Sequence, residues 1–228
     1  MGKFVVIEGM DGSGKSTQTK KLCAYLDSLG LKVKTFHFPS GEGFYGKLVS
    51  SFLRGELGRA EDVDPYFAAF VFAGDRKEMS DTVRQWLEEY DIVLMDRYVY
   101  SNAAYQCAKI QSTKEQKKLR EWIFKLEFEV FDIPRPDLSV FLGVPVSFVR
   151  HQLEKERAGE ERAYLEGKTD IHENDISLQY RVGEQYRIMC ARQEEMHLLD
   201  CTDDMGHMLP GDSIHKKLVN LLQENNIL

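Results

Sequence analysis

The chain has 228 residues, and its apolar fraction of 43%, with 17 Gly and 6 Pro, is ordinary for a protein with a folded core. Collagen-like, disordered and low-complexity classes are therefore excluded. Asp and Glu outnumber Lys and Arg by 37 to 30, which gives a formal net charge of −7 and argues against a nucleic-acid partner, since such proteins usually carry a basic excess.

Short β-branched runs alternate with segments of helical period along the chain. Strands are predicted at Lys3–Glu8, Leu31–Phe38, Asp91–Met95, Leu138–Val144 and Glu195–Asp200. Most of these runs are apolar throughout, as parallel strands covered on both faces are, whereas Lys32 and Lys34 indicate a more exposed second strand. The segment after the first strand carries leucines at helical spacing and ends at Gly30, a helix C-terminal signal. The alternation predicts an α/β fold with a five-stranded parallel sheet flanked by helices.

One stretch departs from this alternation. From Arg150 to Lys168, ten of nineteen residues are charged, and Gly159 and Gly167 interrupt the run. A solvated helix face followed by a loop would explain this composition. A lid that carries arginines over a bound anion would explain it as well. We predict a lid at about residues 150–173 within one domain of residues 1–228.

The cysteines and the apolar segments indicate neither secretion nor a membrane. The four cysteines lie far apart with no C-x-x-C pair, and the apolar run Phe4–Ile7 is too short for a secretory signal. The longer apolar stretches, Phe67–Gly74 and Leu138–Val149, fall short of the roughly 18 residues that span a bilayer. We therefore expect a cytoplasmic protein with reduced thiols and no membrane partner.

The first strand runs into a glycine-rich loop. The loop reads Gly9-Met10-Asp11-Gly12-Ser13-Gly14-Lys15-Ser16, followed by Thr17, and fits G-x-x-x-x-G-K-[ST]. Its glycines let successive backbone N–H groups converge on phosphate oxygens, and the following helix points its positive end at the same anion. Lys15 would contact the β- and γ-phosphates, and the Ser16 hydroxyl would be a magnesium ligand. The motif predicts a P-loop NTPase fold that binds a nucleoside triphosphate.

The third strand ends in a second pair of polar residues, Asp96 and Arg97. The carboxyl end of a buried strand lies on the ligand side of an open α/β sheet. Asp96 is therefore predicted to hold magnesium, directly or through water. Arg97 has the forked donors that suit bidentate contact with a phosphate. A helix N-cap and a surface ion pair are the alternative explanations for the two residues.

The chain resembles the thymidylate (dTMP) kinase family at this point. The residues that carry the resemblance are Ile7–Thr17, Phe72-Ala73-Gly74-Asp75-Arg76, Asp96-Arg97-Tyr98, Ser101-Asn102-Ala103-Ala104-Tyr105-Gln106 and Pro136-Asp137-Leu138. The acid inside the phosphate loop, combined with D-R-Y and S-N-x-x-Y, is quite specific to this family. The similarity covers nearly the whole chain and weakens after about residue 150.

The resemblance implies a second nucleotide site for dTMP. Asp11 would accept a hydrogen bond from the 3′-hydroxyl, and Tyr105 would crowd the 2′ position. Phe72 would stack on thymine, and Arg76 would donate to a thymine carbonyl. Asn102 and Gln106 would read the base edge, and Arg97 would contact both phosphates. The remaining residues implied for the pocket are Phe38, Pro39, Leu53 and Ser101. Spacing alone favours plain core packing for Phe72 and Leu53.

The chain also departs from the family pattern. Many relatives have an arginine just after the Phe38-Pro39 position, where this chain has Ser40-Gly41-Glu42-Gly43. Relatives with a small residue at Gly12 use a lid arginine in catalysis. The resemblance therefore implies Arg157 or Arg162 as that arginine, and Arg150 near the adenine.

The implied function is the transfer of a phosphoryl group from ATP to dTMP, with magnesium, in nucleotide biosynthesis. Lys15, Arg97 and a lid arginine would neutralise charge on the transferring group, and the resemblance also implies a homodimer. Two alternatives remain open from the residues themselves. A deoxynucleoside kinase would need a carboxylate base for the 5′-hydroxyl, and a nucleotide-binding module would transfer no phosphate.

Overall fold

A parallel sheet covered by helices accounts for the whole described part of the chain. The computed structural model describes residues 1–59, 62–154 and 175–228. Strands β1 to β5 are Lys3–Glu8, Val33–His37, Ile92–Asp96, Leu138–Gly143 and Met196–Asp200. In these ranges, helices α1 to α8 are Lys15–Ser28, Gly43–Leu53, Pro65–Glu89, Val99–Ala108, Thr113–Phe124, Val146–Glu154, Ile176–Cys190 and Gly211–Glu224. A π-helical segment, Lys125–Val130, continues α5.

The five strands lie in the order β2-β3-β1-β4-β5 and every pairing is parallel. The predicted fold class is confirmed. β1 is central, and its residues Phe4–Ile7 are at most 1% exposed, which explains their unbroken apolar run. β2 is an edge strand without a fully buried residue, so the exposure expected from Lys34 is also correct.

The second strand begins later than the predicted Leu31 because α1 uses that residue for its cap. Gly30 has φ +78 and donates to the Asp27 carbonyl, while the Leu31 amide donates to the Leu26 carbonyl. These two bonds form a Schellman motif, in which the residue after the left-handed glycine still belongs to the helix end. The strand therefore begins at Val33, and it ends at His37 because the chain turns through Phe38-Pro39, a cis peptide.

The carboxyl ends of β1 and β3 lie side by side. Ile7 pairs with Asp96 in the register, and the Arg97 amide donates to the Ile7 carbonyl. The glycine-rich loop therefore leaves β1 directly beside the point where α4 leaves β3. Sequence order alone would not join these segments, which are about ninety positions apart.

Helix α4 is buried along its entire length, Val99–Ala108, and it packs against α3, α5 and α7. A helix surrounded in this way is normally apolar all round, yet it carries Ser101, Asn102, Tyr105 and Gln106. Buried polar groups need hydrogen-bond partners, so these side chains indicate a built polar site inside the fold.

No helix in residues 1–59, 62–154 and 175–228 is long and apolar enough to cross a membrane. All four cysteines are free thiols. Burial raises the pKa of the Cys107 and Cys201 thiols to about 12, which leaves both protonated and unreactive at neutral pH.

Candidate active site

The glycine-rich loop, Gly9–Thr17, leads from the end of β1 into the first turn of α1. Gly12 and Gly14 have φ of +73 and +88, a left-handed conformation that glycine adopts without strain. α1 begins at Lys15, and no side chain caps its first turn. Uncapped N–H groups at a helix start are the kind of donor that binds an anion, and their role here stays a prediction.

Lys15 is folded back against its own loop. Its Nζ donates to the Met10 carbonyl at 2.9 Å, and the residue is 7% exposed. Burial, followed by the neighbouring charge of Arg97, lowers the pKa of this lysine from 10.5 to about 8, although the charges of Asp96 and Asp11 oppose the shift. A triphosphate bound in the loop would place negative charge beside this ammonium and favour its charged form.

Ser16 and Asp96 meet at the edge of the sheet. The Ser16 hydroxyl donates to Asp96 Oδ2 at 3.3 Å, and Asp96 Oδ1 is buried without a hydrogen-bond partner. A hydroxyl beside an unsatisfied carboxylate oxygen is a donor set that suits magnesium, which usually takes one or two carboxylates and completes its shell with water and phosphate oxygens. No group of three or more His, Cys, Asp or Glu that could hold a metal occurs in the described ranges.

Arg97 connects the loop to α4. Its Nη2 donates to Asp11 Oδ1 at 2.5 Å, and its Nη1 donates to the Gly9 carbonyl at 3.1 Å and to the Ser101 hydroxyl at 3.3 Å. Its backbone has φ +68, in the left-handed region that costs a side-chain-bearing residue of order 1–3 kcal/mol. The hydrogen bonds of the guanidinium hold the residue in this conformation.

Asp11 is held as a carboxylate by its neighbours. Its Oδ2 accepts from Tyr105 Oη at 2.7 Å and from Gln179 Nε2 at 2.8 Å. Burial raises the pKa of Asp11, but the charges of Arg97 and Lys15 outweigh that effect and lower the pKa to about 2. Gln179, on α7, was missed in the sequence because nothing local connects it with a residue 168 positions earlier.

Glu8 forms the floor beneath Arg97 and was also missed. This fully buried carboxylate accepts from the Ser101 hydroxyl at 2.5 Å, from Tyr186 Oη at 3.0 Å and from the Tyr98 amide at 3.0 Å. Burial raises the pKa of Glu8, although these donors oppose the shift. The signal for it was in the sequence: an acid that ends a strand of apolar residues has to find donors in the interior.

A cleft opens beside Arg97. Its lining includes every residue predicted for the acceptor site, together with Tyr98: Asp11, Phe38, Pro39, Leu53, Phe72, Arg76, Arg97, Ser101, Asn102, Tyr105 and Gln106. The structure thus brings together side chains from β2's end, α2, α3 and α4. Their individual roles remain predictions.

The far end of the cleft is built around Glu127. Arg76 and Glu127 are 2% and 0% exposed, and Arg76 Nε and Nη2 donate to the two carboxylate oxygens at 2.5 and 2.7 Å. Asn102 Nδ2 donates to the same carboxylate at 2.8 Å. Sequence reasoning missed Glu127. Its signal was an acid one turn after Ile123, on the apolar face of α5 and its extension.

Leu53 and Phe72 both pack in an apolar cluster and line the cleft. Leu53 is buried in a small apolar cluster with Val49 and Phe52, and the Phe72 ring packs edge-on against Phe52 at 5.9 Å. Each also faces the cleft. Core packing and pocket lining are compatible here because the cluster forms the wall of the cleft.

The position of the missing arginine is occupied by a serine that bonds to an acidic residue of α3. The Ser40 hydroxyl donates to Asp75 Oδ1, and its amide donates to Asp75 Oδ2 at 2.9 Å. Burial raises the pKa of Asp75, and the Ser40 donors oppose the shift. Ser40 therefore anchors the turn after Pro39 to α3 instead of offering a phosphate contact.

The predicted lid lies mostly outside the described residues, and so do Arg157 and Arg162. Its first residues, up to Glu154, belong to α6. Arg150 is exposed on this helix.

The chain is similar to known proteins in both sequence and fold. Residues 7–207 match the family model described as thymidylate kinase. The thymidylate kinase of Mycobacterium tuberculosis is 33% identical over 190 residues, which are 83% of this chain and 86% of that protein. The probable thymidylate kinase of Thermococcus gammatolerans is 30% identical over 232 residues, covering 98% and 97%. A solved thymidylate kinase structure from Candida albicans has the same fold, with a TM-score of 0.71 at 22% identity over 99% of this chain and 93% of that one.

Lys15→Met should stabilise the nucleotide-free protein near neutral pH. Between pH 8 and 10.5 the folded protein has released the Lys15 proton while the unfolded chain still holds it, so the unfolding free energy rises with pH in that window. Below it, the charged lysine costs on the order of 3 kcal/mol, at about 1.4 kcal/mol per pKa unit. Urea denaturation near pH 7 and near pH 10 should show the gain at the lower pH and its loss at the higher. Lys20→Met, at an exposed position of the same helix, is the control, and equal effects of the two variants would contradict the prediction.

Proposed function

Because this chain belongs to the thymidylate kinase family, whose members phosphorylate dTMP to dTDP with ATP, we propose that its loop binds ATP and its cleft binds dTMP. One observation carries the assignment of the two sites. Arg97 contacts the loop at Gly9 and Asp11 and the cleft at Ser101 and Tyr105. Two phosphate groups bound on either side of this guanidinium would share one crevice.

The chemistry needs charge neutralisation and alignment more than proton transfer. The phosphate of a nucleoside monophosphate is already an anionic nucleophile near pH 7, so no general base is required. Lys15 and Arg97 would contact the oxygens of the transferring group and align donor and acceptor. A lid arginine, Arg157 or Arg162, would complete the set, and Arg150 would approach the adenine.

Ser16 and Asp96 would hold magnesium. When bound, the ion supplies positive charge to the β- and γ-phosphate oxygens. The unsatisfied Asp96 Oδ1 and the adjacent hydroxyl support this assignment. Asp96 would contribute its negative charge, and Ser16 would orient the ligand shell from the first turn of α1.

The remaining roles follow the acceptor nucleotide along the cleft. Asp11 would accept from the 3′-hydroxyl, and the Tyr105 ring, with its hydroxyl on Asp11, would leave little room for a 2′-hydroxyl. Phe72 would stack on the base, with Arg76, Asn102 and Gln106 at its polar edge. Phe38, Pro39 and Leu53 would form the apolar wall.

The site favours the activity of a deoxynucleoside kinase less than that of a monophosphate kinase. Such an enzyme needs a carboxylate that can take a proton from the 5′-hydroxyl. Among the described residues that line the cleft, Asp11 is the one carboxylate. With a pKa of about 2 and with Arg97 and Tyr105 bound to it, Asp11 is a weak base.

We also propose a cytoplasmic homodimer. An aromatic surface, Phe44, Tyr45, Phe67, Phe70 and Phe131, supports the dimer. Three of its members, Phe44, Phe67 and Phe70, are 70%, 53% and 38% exposed, and the rings of Phe44, Tyr45, Phe70 and Phe131 follow one another at 5.4 to 6.1 Å. A contiguous exposed apolar patch usually marks a contact with another molecule.

A parallel coupled assay tests the function. With ATP as donor, we expect dTMP to be the best acceptor among dTMP, dUMP, UMP, CMP and thymidine, with UMP slower than dUMP. Lys15→Ala should lower kcat by roughly 10²–10³-fold, the usual cost of removing a donor to the transition state, whereas Lys20→Ala should not. Faster phosphorylation of thymidine than of dTMP would establish the nucleoside kinase, and ATP binding without transfer to any acceptor would establish the binding module.

Asp96→Asn should raise the magnesium concentration that gives half-maximal velocity by about tenfold or more, because the ion loses a charged ligand or its outer-shell partner. Titration with magnesium chloride at saturating dTMP measures the effect. Asp81→Asn, at an exposed position of α3, changes the net charge by the same amount as Asp96→Asn and should leave the titration unchanged. An unaltered magnesium requirement in Asp96→Asn would remove Asp96 from the metal site.

Phe44→Lys should convert a dimer into a monomer. The new ammonium would lie near Glu78, whose carboxylate accepts from the residue 44 amide, so the fold has a partner for it while the aromatic surface becomes charged. Light scattering should give twice 26.3 kDa for the wild-type chain and the single mass for the variant. A monomeric wild-type protein would refute the dimer.

A further inference from the structure

Glu127 is an acid in an apolar setting. It lies in the π-helical segment that continues α5 and is 0% exposed, on the face where Leu119 and Ile123 are also fully buried. π-helical turns are rare and occur frequently at functional sites. A buried carboxylate on such a segment needs a reason beyond packing, because an apolar residue there would avoid the desolvation of a charge.

The carboxylate joins two helices that face the cleft. Glu127 Oε2 accepts from Arg76 Nε at 2.5 Å, and Oε1 accepts from Arg76 Nη2 at 2.7 Å and from Asn102 Nδ2 at 2.8 Å. Arg76 belongs to α3 and Asn102 to α4, and both line the cleft. One side chain thus sets the position of a cationic donor and of an amide.

The orientation of the Asn102 amide follows from chemistry. Its Nδ2 donates to Glu127 and, at 3.0 Å, to the Ala69 carbonyl. A carboxylate and a carbonyl are acceptors only, so the amide nitrogen has to face them. Asn102 Oδ1 is consequently turned away, buried and without a hydrogen-bond partner. It is an acceptor that a ligand N–H can satisfy.

Glu127 also keeps Arg76 charged and in one orientation. Burial lowers the pKa of Arg76, but the charge and the hydrogen bonds of Glu127 outweigh that effect and raise it. Nε and Nη2 donate to the carboxylate, and Nη1 takes part in neither of these two bonds. The cleft therefore offers a fixed donor from Arg76 beside the fixed acceptor of Asn102.

We propose that Glu127 is a positioning residue for base selection, which orients Arg76 and Asn102 so that the cleft accepts a pyrimidine presenting a carbonyl beside an N–H. This inference rests on the proposed function. Thymine and uracil present that pair as O4 and N3–H. Cytosine presents the reverse, an amino group beside an unprotonated N3. Its donor would therefore face the Arg76 donor and its acceptor would face the Asn102 acceptor, and a site strongly rejects a ligand that leaves buried polar groups unpaired.

Glu127→Gln tests the inference. A glutamine can donate as well as accept, so the Ala69 carbonyl alone still requires the Asn102 NH₂ to face away from the cleft, and Arg76 loses its charged partner. We expect the KM for dTMP to rise at least tenfold and the ratio of kcat/KM for dTMP over dCMP to fall at least tenfold. The KM for ATP should stay unchanged, because the change removes binding of the acceptor base alone.

Two further variants separate positioning from stability. Glu127→Asp keeps the acceptor charge but is one methylene shorter, so its dTMP to dCMP ratio should lie between those of the wild-type and Gln enzymes. Ile123→Ala, one turn earlier on the same buried face, should lower the melting temperature and leave the ratio unchanged. If Glu127→Gln does not fold, a lowered ratio in Glu127→Asp supports the inference and an unchanged one overturns it.

The outcomes for the two proposals are distinct. A wild-type enzyme that prefers dTMP, together with a folded Glu127→Gln enzyme that keeps the full preference, overturns the role of Glu127 alone. A wild-type protein that transfers no phosphate to dTMP overturns the proposed function, and this inference with it.

Discussion

The site depends on one largely buried guanidinium, that of Arg97, at the carboxyl edge of the sheet. Removing a charge from water is costly unless a partner compensates it. Asp11 supplies that compensation at 2.5 Å, and Gly9 and Ser101 accept the other donors. Because those partners belong to the phosphate loop on one side and to α4 on the other, neutralising Arg97 also sets the distance between the two halves of the crevice. Phosphoryl transfer needs that kind of fixed alignment.

Buried carboxylates organise the rest of the crevice in the same way. Glu8 collects donors from α4 and α7 beneath Arg97, and Glu127 collects Arg76 and Asn102 at the far end. Each would destabilise the fold if left alone, and each is instead surrounded by donors. The formal net charge of −7 therefore says little about the ligand. Local placement of Lys15 and Arg97 makes an acidic chain suitable for anionic nucleotides.

The parts of the site that sequence reasoning reached are those encoded in contiguous residues or in motifs of known spacing. The phosphate loop is of the first kind, since Gly12, Gly14 and Lys15 act through backbone geometry within a few positions. The cleft lining was reached through the resemblance, which covers residues such as Phe72 and Tyr105. Glu8, Glu127 and Gln179 were missed because their roles exist only through partners far along the chain: Gln179 meets Asp11 across 168 positions, and Glu127 meets Arg76 across 51.

By itself, the sequence determined the α/β class, the parallel sheet with an exposed second strand, and a phosphate-binding loop, because periodicity and glycine spacing are local properties of the chain. Tertiary structure decided which acid neutralises which cation. It also decided that Ser40 faces Asp75, and that the side-chain oxygen of Asn102, not its nitrogen, is left without a hydrogen-bond partner. The physical reason is that hydrogen bonding between side chains depends on separations of about 3 Å, and only the packing of helices against the sheet sets those separations.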